Sequence, residues 1–210
     1  MKKFFNPDNF LWRGFARLAD FMFLSCCFFV CSALVVTIPA AAIALYDAVA
    51  HCLHGDEGKP FARFFRTFKN ELMRSIGLTV VWGLIAGLLG AVYQILFQLA
   101  SSGSIANIAA IFFYFSLFIP LAIFCWVIPV ESRFVYGFGQ LHKVAFIFAF
   151  RHLPSSLIIV ALGLVTFEVC VNMPFMLMLL PGFCAYFQSF FIEKVFAKYM
   201  PKQEEAATEE

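Results

Sequence analysis

Five apolar runs constrain the fold of this chain more than any other feature. They lie at roughly residues 18–38, 76–100, 108–130, 157–172 and 176–197. A helix of about 20 apolar residues crosses the hydrocarbon core of a bilayer. Of the 210 residues, 62% are hydrophobic and only 13% are charged, more apolar side chains than a soluble core of this size could bury. We therefore expect an all-α, polytopic membrane protein with five transmembrane helices.

One segment of the chain occurs twice. Ile38-Pro39 with Tyr46 seven residues later returns as Ile128-Pro129 with Tyr136, and the aromatic-basic stretch 64–69 returns at 146–151. Both copies lie between one apolar run and the next. Internal duplication is common among helical membrane proteins. The repetition predicts two units of span, amphipathic helix and span, followed by a closing helix.

The regions around these units differ in composition. Residues 1–17 mix aromatic and basic side chains, which favours an interfacial lead-in at the lipid headgroups. The first repeat covers 18–100 and the second 108–173, and the fifth span lies within 174–200. The acidic, polar tail 201–210 is predicted to be disordered.

Two connections between spans are basic and amphipathic. In 61–75, aromatic residues and Leu72 recur every three or four positions, with Arg and Lys between them, a spacing typical of an amphipathic helix. Lys and Arg number five in 39–75, three in 131–155 and three from residue 194 onward, but none in 101–107 or 172–175. The positive-inside rule then places both connections and the C-terminus in the cytoplasm.

The position of the N-terminus depends on the number of spans. Five spans place it outside, although it carries four basic residues. If residues 39–54 re-enter the bilayer, the N-terminus is cytoplasmic instead. We favour five spans, because the repeat predicts equivalent roles for Pro39 and Pro129.

The sequence contains no recognisable catalytic motif. A Gly-rich phosphate loop, His-Glu-x-x-His and a nucleophilic serine between small residues are all missing. Asp47, His51 and His54 could share a helix face, but we interpret them as interfacial polar residues rather than metal ligands. We expect no enzyme activity, cofactor, metal or nucleic-acid partner.

Three polar residues inside the predicted spans are candidates for function. Glu168 is the acidic residue placed deepest, and a carboxylate in lipid is costly enough to be a functional candidate. Asn172, one turn later, could hydrogen-bond it, and Gln94 could line the same region or bond a neighbouring helix. These residues support an alternative function as a small-solute transporter that uses Glu168.

The basic-aromatic connections are the stronger functional candidate. Such a helix can lie on anionic headgroups or bind a groove of a partner protein. The predicted partner-binding residues combine aromatic and charged side chains: Tyr46, Asp47, Glu57, Phe61, Arg63, Phe64, Arg66, Lys69, Arg133, Tyr136, Phe150 and Arg151.

Several motifs together resemble one known family. They are Phe5-Asn6-Pro7 near the start, the segment 34–46 with its Ile-Pro-Ala, and Gly55-Asp-Glu-Gly58 followed by the stretch 64–69. In this order they resemble the YesL-like family of small, uncharacterised bacterial integral membrane proteins. The resemblance implies a multi-pass protein of the bacterial plasma (inner) membrane. The resemblance is strongest over residues 1–75 and then follows the order of the spans. Pro39 departs from the family, in which a small residue is expected.

The resemblance implies a role in sugar uptake. Members of the YesL-like family are typically encoded beside carbohydrate importers of the ATP-binding-cassette type, which implies an accessory or assembly subunit that contacts importer permease subunits. The family supplies no catalytic residues. A membrane partner of a sensor kinase is a further alternative that the residues do not distinguish.

Overall fold

The computed structural model describes residues 10–54, 59–100, 104–134 and 136–199, and these contain helices but no strand. The α-helices are α1 (Phe10–Cys31), α2 (Ile38–Ala48), α3 (Pro60–Ala100), α4 (Ser104–Ser116), α5 (Phe118–Arg133), α6 (Phe138–Arg151), α7 (Leu153–Asn172) and α8 (Leu180–Phe196). Short 3₁₀ turns at Val35–Thr37 and Pro174–Met178 precede α2 and α8, and a π-helical turn, Val49–His54, extends α2. The predicted fold class is confirmed as all-helical.

Four helical segments of the described chain are long and apolar enough to cross a membrane: Val35–Cys52, Pro60–Leu99, Ile111–Arg133 and Leu153–Asn172. Two predicted spans are not among them. The helix of the first one, α1, ends at Cys31 inside the predicted run 18–38, and α8 has only 17 residues. The structure therefore supports four candidate spans rather than the predicted five.

The first candidate span is an inner helix. Of its 18 residues, Val35–Cys52, 67% are buried, compared with 11% of an apolar 18-residue stretch of Pro60–Leu99. Its small side chains, including Ala40, Ala44 and Ala48, let neighbouring helices pack closely around it. α2 contacts α1, α3, α5 and α8. Helix α2, which the predicted topology places in a cytoplasmic connection, is thus the packing centre of the bundle.

Proline explains where α2 begins. Pro39 lies in the first turn of α2, where its missing N–H removes no helical hydrogen bond. Thr37 closes the preceding turn, because its hydroxyl donates to the carbonyl oxygens of Cys31 at 2.5 Å and Leu34 at 2.7 Å. The predicted run 18–38 is therefore divided into the end of α1, a turn and the start of α2.

Helix α3 joins two elements that the sequence analysis separated. The amphipathic stretch 61–75 and the span 76–100 form one continuous helix of 41 residues. At 1.5 Å per residue its length is about 60 Å, roughly twice the hydrocarbon core of a bilayer. Its first half therefore extends well beyond the lipid if its second half spans the membrane.

The second copy of the repeated segment is built differently. Pro129 lies inside α5, whereas Pro39 begins a helix, so the two prolines occupy different helical positions. Residues 146–151 end α6, and Pro154 in the first turn of α7 starts a new helix. The expected structural equivalence of the two halves does not extend to these positions.

The third predicted span is divided into α4 and α5 at Leu117. Pro120 has no N–H for the carbonyl of Ser116, and its ring crowds that carbonyl, so the helix ends and restarts there. Further along α5, Trp126 is fully buried and donates from Nε1 to Ser156 Oγ on α7 at 2.8 Å. The rings of Phe148 and Phe196 pack beside it. This cluster fixes α5, α6, α7 and α8 together.

Candidate functional site

A buried carboxylate on α2 holds the first half of α3 in place. Asp47 is only 5% exposed. Arg63 donates to it in a bidentate arrangement, from Nε to Oδ2 at 2.9 Å and from Nη2 to Oδ1 at 3.0 Å. The hydroxyl of Thr67, one turn further along α3, donates to Oδ2 at 2.7 Å. Paired donors of this kind compensate the cost of removing the carboxylate from water.

His51 extends this arrangement to α5. Its Nδ1 lies 3.0 Å from Asp47 Oδ1, and its Nε2 contacts Nη1 of Arg133. An arginine can only donate, so Nε2 accepts and the ring proton lies on Nδ1, which donates to Asp47. A neutral imidazole therefore satisfies both contacts. With both nitrogens bonded, His51 offers no free lone pair to a metal in this arrangement.

Arg133 continues the network to α8. Its Nη2 lies 2.7 Å from Glu193 Oε1, and the hydroxyl of Tyr46 donates to the same oxygen at 3.1 Å. The polar network of Tyr46, Asp47, His51, Arg63, Thr67, Arg133 and Glu193 thus connects α2, α3, α5 and α8. Sequence reasoning missed Glu193, because it concentrated on acidic residues deep inside a span rather than near a helix end.

A second group of charges joins α3 to α5 three turns further along. The side chain of Glu131 is fully buried, and its Oε1 lies 2.6 Å from Arg74 Nη1. Arg74 also donates to the carbonyl oxygen of Tyr136. Oε2 of Glu71 and both carboxylate oxygens of Glu131 are buried and have no hydrogen-bond partner among the described residues, so the ion pair with Arg74 is what balances the charge of Glu131. Sequence analysis did not single out this group, since neither glutamate lies deep in an apolar run.

These contacts orient the opposite side of α3 outward. Phe65 is 51% exposed and Met73 is 80% exposed, and Arg66 and Lys69 between them are also exposed. The outer side of α6 is similar, with Phe146, Ile147 and Phe150 exposed beside Lys143 and Arg151. We call these nine residues of α3 and α6 the basic-aromatic face: Phe65, Arg66, Lys69, Met73, Lys143, Phe146, Ile147, Phe150 and Arg151.

The predicted partner-binding residues divide between the surface and the interior. Arg66, Lys69, Phe150 and Arg151 are exposed, and Arg151 also lies 5.5 Å from the ring centre of Tyr199. The interior or half-buried members are Tyr46, Asp47, Phe61, Arg63, Phe64, Arg133 and Tyr136. Glu57 lies outside the described residues. The predicted residues that belong to the polar network hold the helices together. The four exposed residues lie on the outer surface of the protein.

The predicted intramembrane polar residues lie on the outside of the bundle. Asn172 Nδ2 donates to Glu168 Oε1 at 2.9 Å, and both residues are exposed at the end of α7. Gln94 is exposed on α3. A cavity of about 290 Å³ lies between α2, α5, α7 and α8, with Tyr46, Cys184 and Gln188 among its lining residues, but Glu168 does not line it.

These features define the class of protein: the described chain is all-helical, has four candidate spans and is compatible with a multi-pass membrane protein. The comparison with known families adds one match. Residues 9–93 match a family described as "Protein of unknown function, DUF624". The match includes α2 and most of α3, and it ends before α4. No curated protein and no solved structure matches the chain.

Proposed function

We propose that this chain is a non-enzymatic membrane accessory subunit that binds a partner membrane protein through the basic-aromatic face. The observation that carries the proposal is the division of charges on α3. Arg63 and Arg74 are used internally, against Asp47 and Glu131, whereas Arg66 and Lys69 are exposed between Phe65 and Met73. Aromatic residues and arginine are enriched in protein interfaces.

The network behind the face supports a binding role. A surface that is already rigid loses less conformational entropy when it binds. The bidentate pair between Arg63 and Asp47 and the ion pair between Arg74 and Glu131 fix α3 at two levels, three turns apart. The exposed side chains between those levels are therefore presented from a fixed backbone.

We infer that the partner is a permease subunit of an ATP-binding-cassette carbohydrate importer. This part of the proposal comes from the resemblance to the YesL-like family, whose members are encoded beside such importers. The family match over residues 9–93 covers most of the segment that carries the resemblance. The charge distribution along the chain supports a cytoplasmic position for the face.

Affinity purification in mild detergent tests the partner. The wild-type chain should recover importer permease subunits, and the charge reversal Arg66→Glu/Lys69→Glu should reduce recovery about tenfold or more, since like charges at an interface are strongly unfavourable. Arg63 is left intact, because its loss would disturb Asp47. The matched control is Lys194→Glu/Lys198→Glu, an equal charge change on exposed residues at the end of α8.

Three outcomes would overturn this proposal. Equal recovery by both double variants would show that the basic-aromatic face does not bind the partner. Recovery of a sensor kinase in place of the permease would exclude the importer as the partner, although the basic-aromatic face would still be the binding surface. If no protein is recovered reproducibly, the accessory role itself fails.

Cysteine labelling tests the predicted sidedness independently. All seven native cysteines are free thiols, so the experiment starts from a cysteine-free background. An impermeant maleimide should label Gly103→Cys in intact cells but should label Arg66→Cys and Lys143→Cys only after permeabilisation. Labelling of positions 66 and 143 from outside would place the basic-aromatic face away from any cytoplasmic partner.

The geometry does not favour transport through Glu168. Its carboxylate is exposed and bonded to Asn172, and it does not line the cavity between α2, α5, α7 and α8. A transport path needs ionisable groups that face the bundle interior or a water-filled cavity. We therefore propose no transport function.

A further inference from the structure

Tyr199 attaches the chain after α8 to the end of α6. Its hydroxyl lies 3.0 Å from Nε2 of His152, and its ring centre lies 5.2 Å from that of Phe148. The guanidinium of Arg151, which belongs to the basic-aromatic face, lies 5.5 Å from the same ring centre. The segment that follows Tyr199 therefore starts beside that face.

The outer side of α6 presents one cation at each end of an apolar stripe. Its exposed residues recur every three or four positions and share one helix face: Lys143, Phe146, Ile147, Phe150 and Arg151. Lys143 and Arg151 are about 12 Å apart along the helix axis. Neither forms an ion pair with a carboxylate of the described residues. The stripe thus offers two positive charges that the described bundle does not neutralise.

The segment 201–210, which lies outside the described residues, carries a matching pattern of negative charges. It contains four glutamates and one lysine, and the glutamates form two pairs, Glu204-Glu205 and Glu209-Glu210. Three uncharged residues separate the pairs, as three apolar residues separate the cations of the stripe. Five residues of chain span at most about 18 Å, so the two pairs can meet charges 12 Å apart.

The position of Tyr199 determines the order of the contacts. Glu204 follows Tyr199 by five positions, again at most about 18 Å of chain, and Arg151 lies beside the Tyr199 ring. The first pair can therefore reach Arg151, and the second pair can then reach Lys143. Each exposed ion pair is weak. A tethered segment, however, meets its site at an effective concentration of about millimolar, which favours the contact.

We propose that residues 201–210 bind the outer side of α6 in the same molecule, with the first glutamate pair beside Arg151 and the second beside Lys143. Because both cations belong to the basic-aromatic face, the bound segment competes with the partner protein for that face. The competition rests on the proposed function, whereas the contact itself does not.

Zero-length cross-linking tests the contact in purified full-length protein. A carbodiimide joins a carboxyl group to an amine only where the two touch, so Lys143 should be linked to Glu209 or Glu210 within one molecule. Arg151→Lys places an amine at the other end of the stripe and should add a link to the first glutamate pair. Lys143→Arg is the control, because it keeps the charge but cannot be linked.

Salt should weaken the cross-links. Raising NaCl from about 0.1 M to 1 M shortens the screening length from about 10 Å to about 3 Å, so the yield at Lys143 should fall. Links confined to Lys194 and Lys198, the lysines of α8 and its end, or no links at all, would overturn the contact with α6. Links found only between two molecules would assign the segment to a neighbouring copy and would also overturn it.

Partner recovery tests the competition. Replacing all four glutamates of 201–210 with glutamine should increase recovery of the permease about threefold or more, because the face then has no competing segment. Thr208→Gln, which changes the segment without changing its charge, is the control. Unchanged recovery together with the Lys143 link would overturn the competition but not the proposed function. Cross-linking needs no partner, so failure of the accessory role would leave its result unaffected.

Discussion

Arg63 and Asp47 face each other across the contact between α3 and α2, with two parallel N–H···O bonds of 2.9 and 3.0 Å. They lie 16 positions apart in the sequence, and the residues between them include 55–58, which lie outside the described chain. The pair fixes the rotation of α3 about its axis, because the guanidinium can meet both oxygens in one orientation. That rotation decides which side of α3 is exposed.

Loss of this pair should destabilise the fold. Arg63→Met keeps much of the apolar length of the side chain but leaves Asp47 buried without its cation, which typically costs about 3–5 kcal/mol. Arg66→Met, three residues away on the exposed side, should change stability by less than about 0.5 kcal/mol. Thermal unfolding in detergent measures the difference. Equal melting temperatures for the two variants would show that the Arg63 pair contributes little.

Two glycines should respond in opposite ways to alanine. A Cβ on Gly182 would lie 2.8 Å from Ser25 Oγ and 3.1 Å from the Phe21 carbonyl oxygen, so Gly182→Ala should force α8 away from α1 and lower the melting temperature. Gly83 has nothing within 4 Å of an added Cβ. Gly83→Ala should raise helix stability by about 0.5–1 kcal/mol. A loss of stability in Gly83→Ala would indicate a close neighbour on that side.

The hydrogen bond between Trp126 and Ser156 should be costly to remove. Both residues are fully buried, so Ser156→Ala leaves the indole N–H without an acceptor and should cost about 1–3 kcal/mol. Ser155→Ala, next to it and partly exposed, is the control and should have little effect. Denaturant-dependent quenching of tryptophan fluorescence can follow both variants. A smaller effect at 156 than at 155 would contradict the packing described for α5 and α7.

A glutamine should replace Glu71 without loss of stability. Oε2 of Glu71 is buried without a hydrogen-bond partner among the described residues, and Glu71→Gln removes a negative charge near Glu131 while leaving the ion pair of Glu131 with Arg74 intact. We expect a melting temperature equal to or above that of the wild type. Glu131→Gln, which removes the charge opposite Arg74, should melt lower. The reverse order would contradict the stabilising role of the ion pair between Arg74 and Glu131.

His152 should make the fold less stable in mild acid. Burial lowers the pKa of His152, and the positive charges of Lys198 and Arg151 lower it further. The folded chain then binds a proton less readily than the unfolded chain, whose histidine titrates near 6.5. The contribution of neutral His152 is complete above about pH 6.5 and is lost as the pH falls below it.

Melting temperatures at pH 7.5 and 5.5 test this effect. The decrease between the two values should be smaller in His152→Gln than in the wild type, because glutamine does not titrate and other groups change equally in both proteins. An identical decrease in both would exclude His152 as the source.

Sequence patterns predicted that this fold is built of helices better than they predicted where each helix begins and ends. Helices that cross a lipid bilayer need long apolar runs, and the three-to-four spacing in 61–75 follows from helix geometry. The all-helical fold class could therefore be predicted from the sequence. The positions of prolines were visible, but their effects depended on context. Pro120 interrupts the helix at Leu117. Pro129 lies inside α5, and that helix continues past it to Arg133.

The candidate site was harder to predict for a different reason. Arg63 and Arg66 have the same residue type and lie three positions apart, yet only Arg66 is exposed. Their different exposure depends on the contact of Arg63 with Asp47 of another helix, and the sequence pattern of α3 alone does not show that contact. Glu193 likewise meets Arg133 across 60 residues of sequence. Sequence identified where charges cluster, but tertiary packing decides which of them neutralise each other.

The unbroken length of α3 has a mechanical consequence. A continuous helix of about 60 Å that is embedded in the bilayer along one half moves its protruding half, with the helices bonded to it, whenever its tilt changes. Long helices adjust their tilt to the thickness of the surrounding membrane. A thinner or thicker bilayer would therefore displace Arg66 and Lys69 sideways, together with α2, whose Asp47 is bonded to the same helix. Membrane thickness would in this way determine how far the protruding end reaches.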